Sequence, residues 1–182
     1  PSALSYKTDD MAVRVIHYQH GDLLSGGTDV VGEFENLVDM REEPLACLTV
    51  AGRAVRNQPG IMGKLSQALA DASINIDAVA SGMDSITFYV DESDAQRAET
   101  ILHAEVVEDE TLSSVTVDEG IAVVRVAGPD LPAEQGILGK VVKPLIDAHI
   151  EILDVITSAT SAAVFVDWGD REETMAIVQD QF

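Results

Sequence analysis

Apolar and polar positions along the chain follow two rhythms that alternate. "LACLTVAG" from Leu45 and "IAVVRVAG" from Ile121 are apolar, β-branched runs closed by Gly, which predicts strands. "IMGKLSQALADA" places Ile61, Leu65 and Leu69 on one helical face, and "ILGKVVKPLIDA" does the same with Ile137, Val141 and Leu145. Pro144 falls inside the second helix and predicts a kink or a register shift there. "INIDAVAS" and "IEILDVITS" alternate apolar with polar, and "SITFYV" and "SAAVFV" follow as third strands. "ESDAQRAETILH" and "DREETMAIVQDQF" read as helices that open on acids, favourable at the positive end of the helix dipole.

These elements come twice. A constant offset of 76 carries Gly52 onto Gly128, Gly60 onto Gly136, Lys64 onto Lys140, Ile76 onto Ile152 and Val90 onto Val166. A long period present only twice marks tandem domains rather than a solenoid. Each copy reads β-α-β-β-α, and copy one adds "SSVTVDE" as a closing strand. The predicted class is α+β: two ferredoxin-like βαββαβ domains, each an antiparallel sheet with helices on one face. The domains are expected at residues 45–118 and 119–182, after a leading and connecting segment at 1–44. Copy two stops at Phe182 without a fourth strand, and "AVRVIHY", residues 12–18, is expected to supply it, so that copy one is inserted within copy two. The stretch between reads as Gly-rich and then acidic loop, with a short helix near Phe34.

Charge narrows the function. Acids outnumber bases 32 to 11, for a net charge of −21. That repels nucleic acid and anionic membrane surfaces. The acids are dispersed along the chain, which suits the screened conditions of a high-salt cytoplasm. Cys47 is the single cysteine, so no intrachain disulfide forms and a reducing compartment is expected. No apolar run reaches the length of a membrane span, and the N-terminal residues do not read as a signal peptide.

Little in the chain suggests catalysis. Gly63–Lys64 resembles the end of a phosphate loop, but Leu65 follows the Lys and no Gly stands five residues earlier; close packing of a helix turn explains both copies better. "SGGT" at Ser25–Thr28 reads as a connector. His17, His20 and Asp22 lack a Cys or Glu partner at ligand spacing, so no metal site is expected. No nucleophile, general base or dinucleotide pattern stands out. A binding role remains. The loop "RAVRNQPGIM" leads into a helix N-terminus, whose free N–H groups suit a carboxylate, with Pro59 stiffening the loop and Gly60 allowing close backbone approach. Asp77 on the next strand either holds an ammonium or faces solvent.

At these residues the chain resembles ACT domains, the amino-acid-sensing modules of metabolic enzymes, and in particular the paired ACT domains at the C-terminus of aspartate kinases. The resemblance rests on "RNQPGIMGKLSQALADASINIDAVAS", "IEILDVITSATSAAVFV" and the terminal "IVQDQF", with "AVRVIHYQHGDLLSGGT" similar to the segment where the kinase domain ends. It implies a cytoplasmic regulatory region that binds lysine, threonine or methionine, pairs as a homodimer through its ACT domains and serves a catalytic kinase domain. ATP and Mg would belong to that domain, which this chain lacks, and no cofactor is expected here. The implied effector contacts are Asn57, Gln58, Pro59, Gly60, Ile61, Met62, Asp77 and Ser81, with Thr157 and Ser158 on the facing strand of copy two. Asn57 stands where the family has Asp, and Gln135–Gly136 where it has Pro-Gly. The alternative is a free-standing ACT-type regulator, or a small subunit of another biosynthetic enzyme such as acetolactate synthase.

Overall fold

The computed structural model describes residues 5–8, 11–14, 37–53, 55, 59–128, 136–158 and 160–182. The chain forms two units, residues 1–34 and 35–182. In the first, β1 (Ser5–Thr8) and β2 (Met11–Arg14) make an antiparallel hairpin.

The second unit holds one antiparallel sheet of seven strands. Copy one contributes β4 (Leu45–Gly52), α1 (Ile61–Asp71), β5 (Ala78–Ser81), β6 (Ser85–Asp91) and α2 (Ala95–Glu108). Copy two contributes α3 (Ile137–Asp147), β8 (Ile152–Thr157), β9 (Ser161–Asp167) and α4 (Arg171–Gln179). The long β7 (Leu112–Ala127) serves both: its first half closes the sheet of copy one and its second half opens that of copy two. It runs unbroken through the domain boundary expected at 118/119.

The fourth strand of copy two is β3 (Leu37–Met40), paired along β7 from Leu37↔Ala127 to Met40↔Val124. This corrects the sequence expectation. Met11–Arg14 pairs instead with Ser5–Thr8, and residues 15–18 lie outside the described residues, as do Phe34 and "SGGT". Four residues cover the exposed side of β7, and Arg125 on β7 grips Asp39 on β3 at 2.6 and 3.1 Å. Copy one is nevertheless inserted within copy two, as the strand count required.

Two cores lie between the sheet and its helices. Leu48, Val50, Leu65, Leu69, Phe88 and Leu102 anchor the first, and Val124, Val141, Leu145, Val164 and Val178 the second. Each such buried side chain contributes roughly 1.5–3 kcal/mol of transfer free energy. α3 continues through Pro144 without a break. A third cluster occupies the sheet face away from the helices. Leu45 pairs with Ile121, its own repeat counterpart, and the rings of Tyr89 and Phe165, also counterparts, stack at 4.1 Å. The two copies therefore meet about a pseudo-twofold axis. One polar contact breaks that symmetry: the Tyr89 hydroxyl donates to Asp154 Oδ2 at 3.0 Å. Burial, and then the Asp154 charge, push the Tyr89 pKa far above its ordinary value.

The repeated Gly-Lys pair has a partly different meaning from the one expected. A Cβ at Gly63 or Gly139 would meet nothing within 4 Å, so close packing does not require glycine there. The lysines reach across to the end of the second helix of their own copy. Lys64 Nζ lies 2.8 Å from Glu105 and 4.0 Å from Asp109, and Lys140 Nζ sits 5.9 Å from the centre of the Phe182 ring.

Candidate functional site

Gly60 ends the loop before α1 at φ +89°, a left-handed conformation open to glycine at little cost. Its carbonyl accepts the first helical bond from Lys64 N at 2.9 Å. No side chain caps the helix, and no acid stands in its first turn. The first amides of a helix have no partner within it, so this end presents donors and a positive dipole. Beside it, β5 and β6 turn tightly, with Gly82 N donating to the Ser85 carbonyl at 2.8 Å. Between turn and helix lies a cleft of about 280 Å³, lined by Val55, Gly60, Ile61, Met62, Ser81, Gly82 and Ile86. Its size suits a small ligand.

The structure thus brings together Gly60, Ile61, Met62 and Ser81 of the expected contacts. Pro59 precedes them, exposed; Asn57 and Gln58 lie outside the described residues. Asp77 stands elsewhere. It precedes β5, four residues from Ser81, or about 13 Å of extended chain. Its amide donates to the Tyr89 carbonyl at 2.8 Å, and its carboxylate lies 3.9 Å from Arg41, which also bonds Asp91 at 2.9 Å. Thr157 and Ser158 do not face Ser81 either. β5 and β8 are opposite edges of the sheet. The 76-residue offset makes Thr157 and Ser158 the counterparts of Ser81 and Gly82 in copy two, where Ser158 and Ser161 hydroxyls meet at 2.7 Å. Val55, Gly82 and Ile86 are cleft residues missing from the sequence-based set; the glycine turn after "INIDAVAS" was the available signal.

Among the described residues no three His, Cys, Asp or Glu side chains gather as metal ligands, and no helix is long and apolar enough to cross a membrane. His17, His20 and Asp22 lie outside the described residues.

Two ACT-domain family models match the chain, at residues 48–106 and 116–180. The aspartokinase of Corynebacterium glutamicum is 29% identical over 144 residues, covering 75% of this chain and 34% of its own length. That of Corynebacterium efficiens is 26% identical over 172 residues, covering 86% of this chain and 40% of its own length. The chain therefore spans well under half of the curated relatives it matches. Among solved structures, the regulatory subunit of aspartate kinase from Thermus thermophilus superposes with a TM-score of 0.70 at 23% identity, over 82% of this chain and 97% of that one. Clostridium acetobutylicum aspartate kinase gives 0.73 at 16% identity, over 80% of this chain and 34% of that one. The chain belongs to the ACT-domain family, as two tandem domains of the kind found in the regulatory parts of aspartate kinases.

Proposed function

We propose that the chain is the effector-binding regulatory region of an aspartate kinase and lowers aspartate phosphorylation when lysine or threonine, or alternatively methionine, occupies the cleft at the N-terminus of α1. The observation that carries this reading is the cleft itself. It is of amino-acid size, and it joins Gly60–Met62 to Ser81 at an uncapped helix end. An E. coli relative of the same fold, aspartokinase III, is described in complex with lysine and aspartate. ATP and Mg act in the partner kinase domain, in the cytoplasm. A homodimer through the ACT domains would cover β5 and β8, the outer strands of the seven-stranded sheet. The dispersed charge suits a high-salt cell.

Thermal melting with lysine, threonine or methionine added separately tests the effector. A ligand that binds only the folded chain adds about 2.7 kcal/mol at a hundredfold excess over its Kd. At least one of the three should raise the melting temperature in a saturable way. No rise with any of them contradicts the reading.

A further inference from the structure

The residues that line the cleft include no carboxylate, and the stretch 81–86, which supplies three of them, contains one, Asp84. Asp84 and Arg53 stand on neighbouring strand ends. Gly52 N donates to the Asp84 carbonyl at 2.8 Å, and Val55 N closes a turn onto Gly52 O at 3.4 Å around Arg53. Gly52 is wedged in place: a Cβ there would lie 2.5 Å from the Thr111 carbonyl, so Arg53 leaves the sheet from a fixed point.

The charge pattern is unusual for this chain. Among the residues from 37 to 182 whose side chains are described, every other lysine and arginine has a carboxylate or an aromatic ring as partner. Arg53 has neither, although acids outnumber bases 32 to 11, and it is exposed two residues before Val55 of the cleft lining. Asp84, one strand away and also exposed, forms no ion pair with it. An unpaired cation and an unpaired anion, each two residues along the chain from the lining of a small cleft, match a zwitterion, with an uncapped helix end to share the carboxylate.

We propose that Arg53 holds the α-carboxylate and Asp84 the α-ammonium of an amino acid in this cleft, and that Asp77 takes no part. The proposal rests on the amino-acid reading above and assigns its recognition residues. The repeat supplies an internal comparison. The offset of 76 places Pro129 and Thr160 at these two positions in copy two, both uncharged, so each chain takes one amino acid.

Calorimetric titration of lysine, threonine and methionine, each separately and at fixed salt, tests this on wild type, Arg53→Gln, Asp84→Asn, Asp77→Asn and Arg56→Gln. Arg53, Asp77 and Asp84 are exposed, where substitutions leave folding stability nearly unchanged, and melting curves check every variant. The amino acid that binds wild type should do so at one per chain. It should bind Arg53→Gln and Asp84→Asn roughly tenfold or more weakly, and Asp77→Asn as wild type. The matching amine without the α-carboxylate should be insensitive to Arg53→Gln. Wild-type affinity in both Arg53→Gln and Asp84→Asn overturns the assignment while leaving the amino-acid reading intact, as does a larger loss in Asp77→Asn or Arg56→Gln. No binding to wild type overturns both.

Discussion

At position 174 copy two carries a threonine where copy one carries Ala98, and both are fully buried. The Thr174 hydroxyl has no hydrogen-bond partner. An unsatisfied buried hydroxyl costs about 1–3 kcal/mol, whereas valine has the same branching and nearly the same volume. Thr174→Val should therefore raise stability by about 1 kcal/mol in a denaturant titration; an unchanged or lower midpoint contradicts the account of this residue. Asp91 shows the opposite case. The Ser93 hydroxyl at 2.5 Å and the Ser93 amide at 2.9 Å, and then Arg41, hold its carboxyl below the usual range against a small opposing effect of burial. A depressed folded pKa means stability that is present above the unfolded value, near 4, and lost as pH falls through the folded value. Asp91→Asn should flatten part of the fall in melting temperature between about pH 5 and 2. An acid limb identical to wild type would show that these bonds do not favour the folded state.

Among the elements, β3 has the largest effect for its length. Its four residues close copy two, and Val38 and Met40 pack on that core. Val38→Asp would place a carboxylate against this core, which an unpaired charge tolerates poorly. Hydrogen exchange should then speed up at Val124–Ala127, while Ser114–Val117, paired with β4, keep their protection. Equal acceleration in both halves of β7 would mean that the copies do not open separately. The same strand shows where sequence reading stops. The helices and most strands were legible because their periodicity is local and written twice. "LVDM" is too short to show a period, its acid breaks the apolar run, and the partner that explains the acid, Arg125, lies 86 residues away. Asp77 stands apart from the cleft for a reason equally hidden in sequence. Its type suited an ammonium, but only the direction of β5 reveals that it stands at the far end from the cleft. Gly60, Ile61, Met62 and Ser81 come together at one cleft because a loop entering a helix and the end of the next strand meet in this topology.

For the whole molecule, a net charge of −21 opposes the compact state, and salt screens that repulsion. The melting temperature should rise from dilute buffer to molar KCl; a flat or falling curve removes the role given to charge. The central claim is that this tandem ACT chain binds an amino acid at the α1 end of copy one. Backbone amide spectra of the isotope-labelled chain, recorded while lysine, threonine or methionine is titrated in, test it most directly. The predicted result is saturable shifts concentrated at Arg53–Met62 and Ser81–Ser85, with little change at the counterparts around Gly136 and Thr157–Ser161. Shifts confined to copy two, or none with any of the three amino acids, would contradict it.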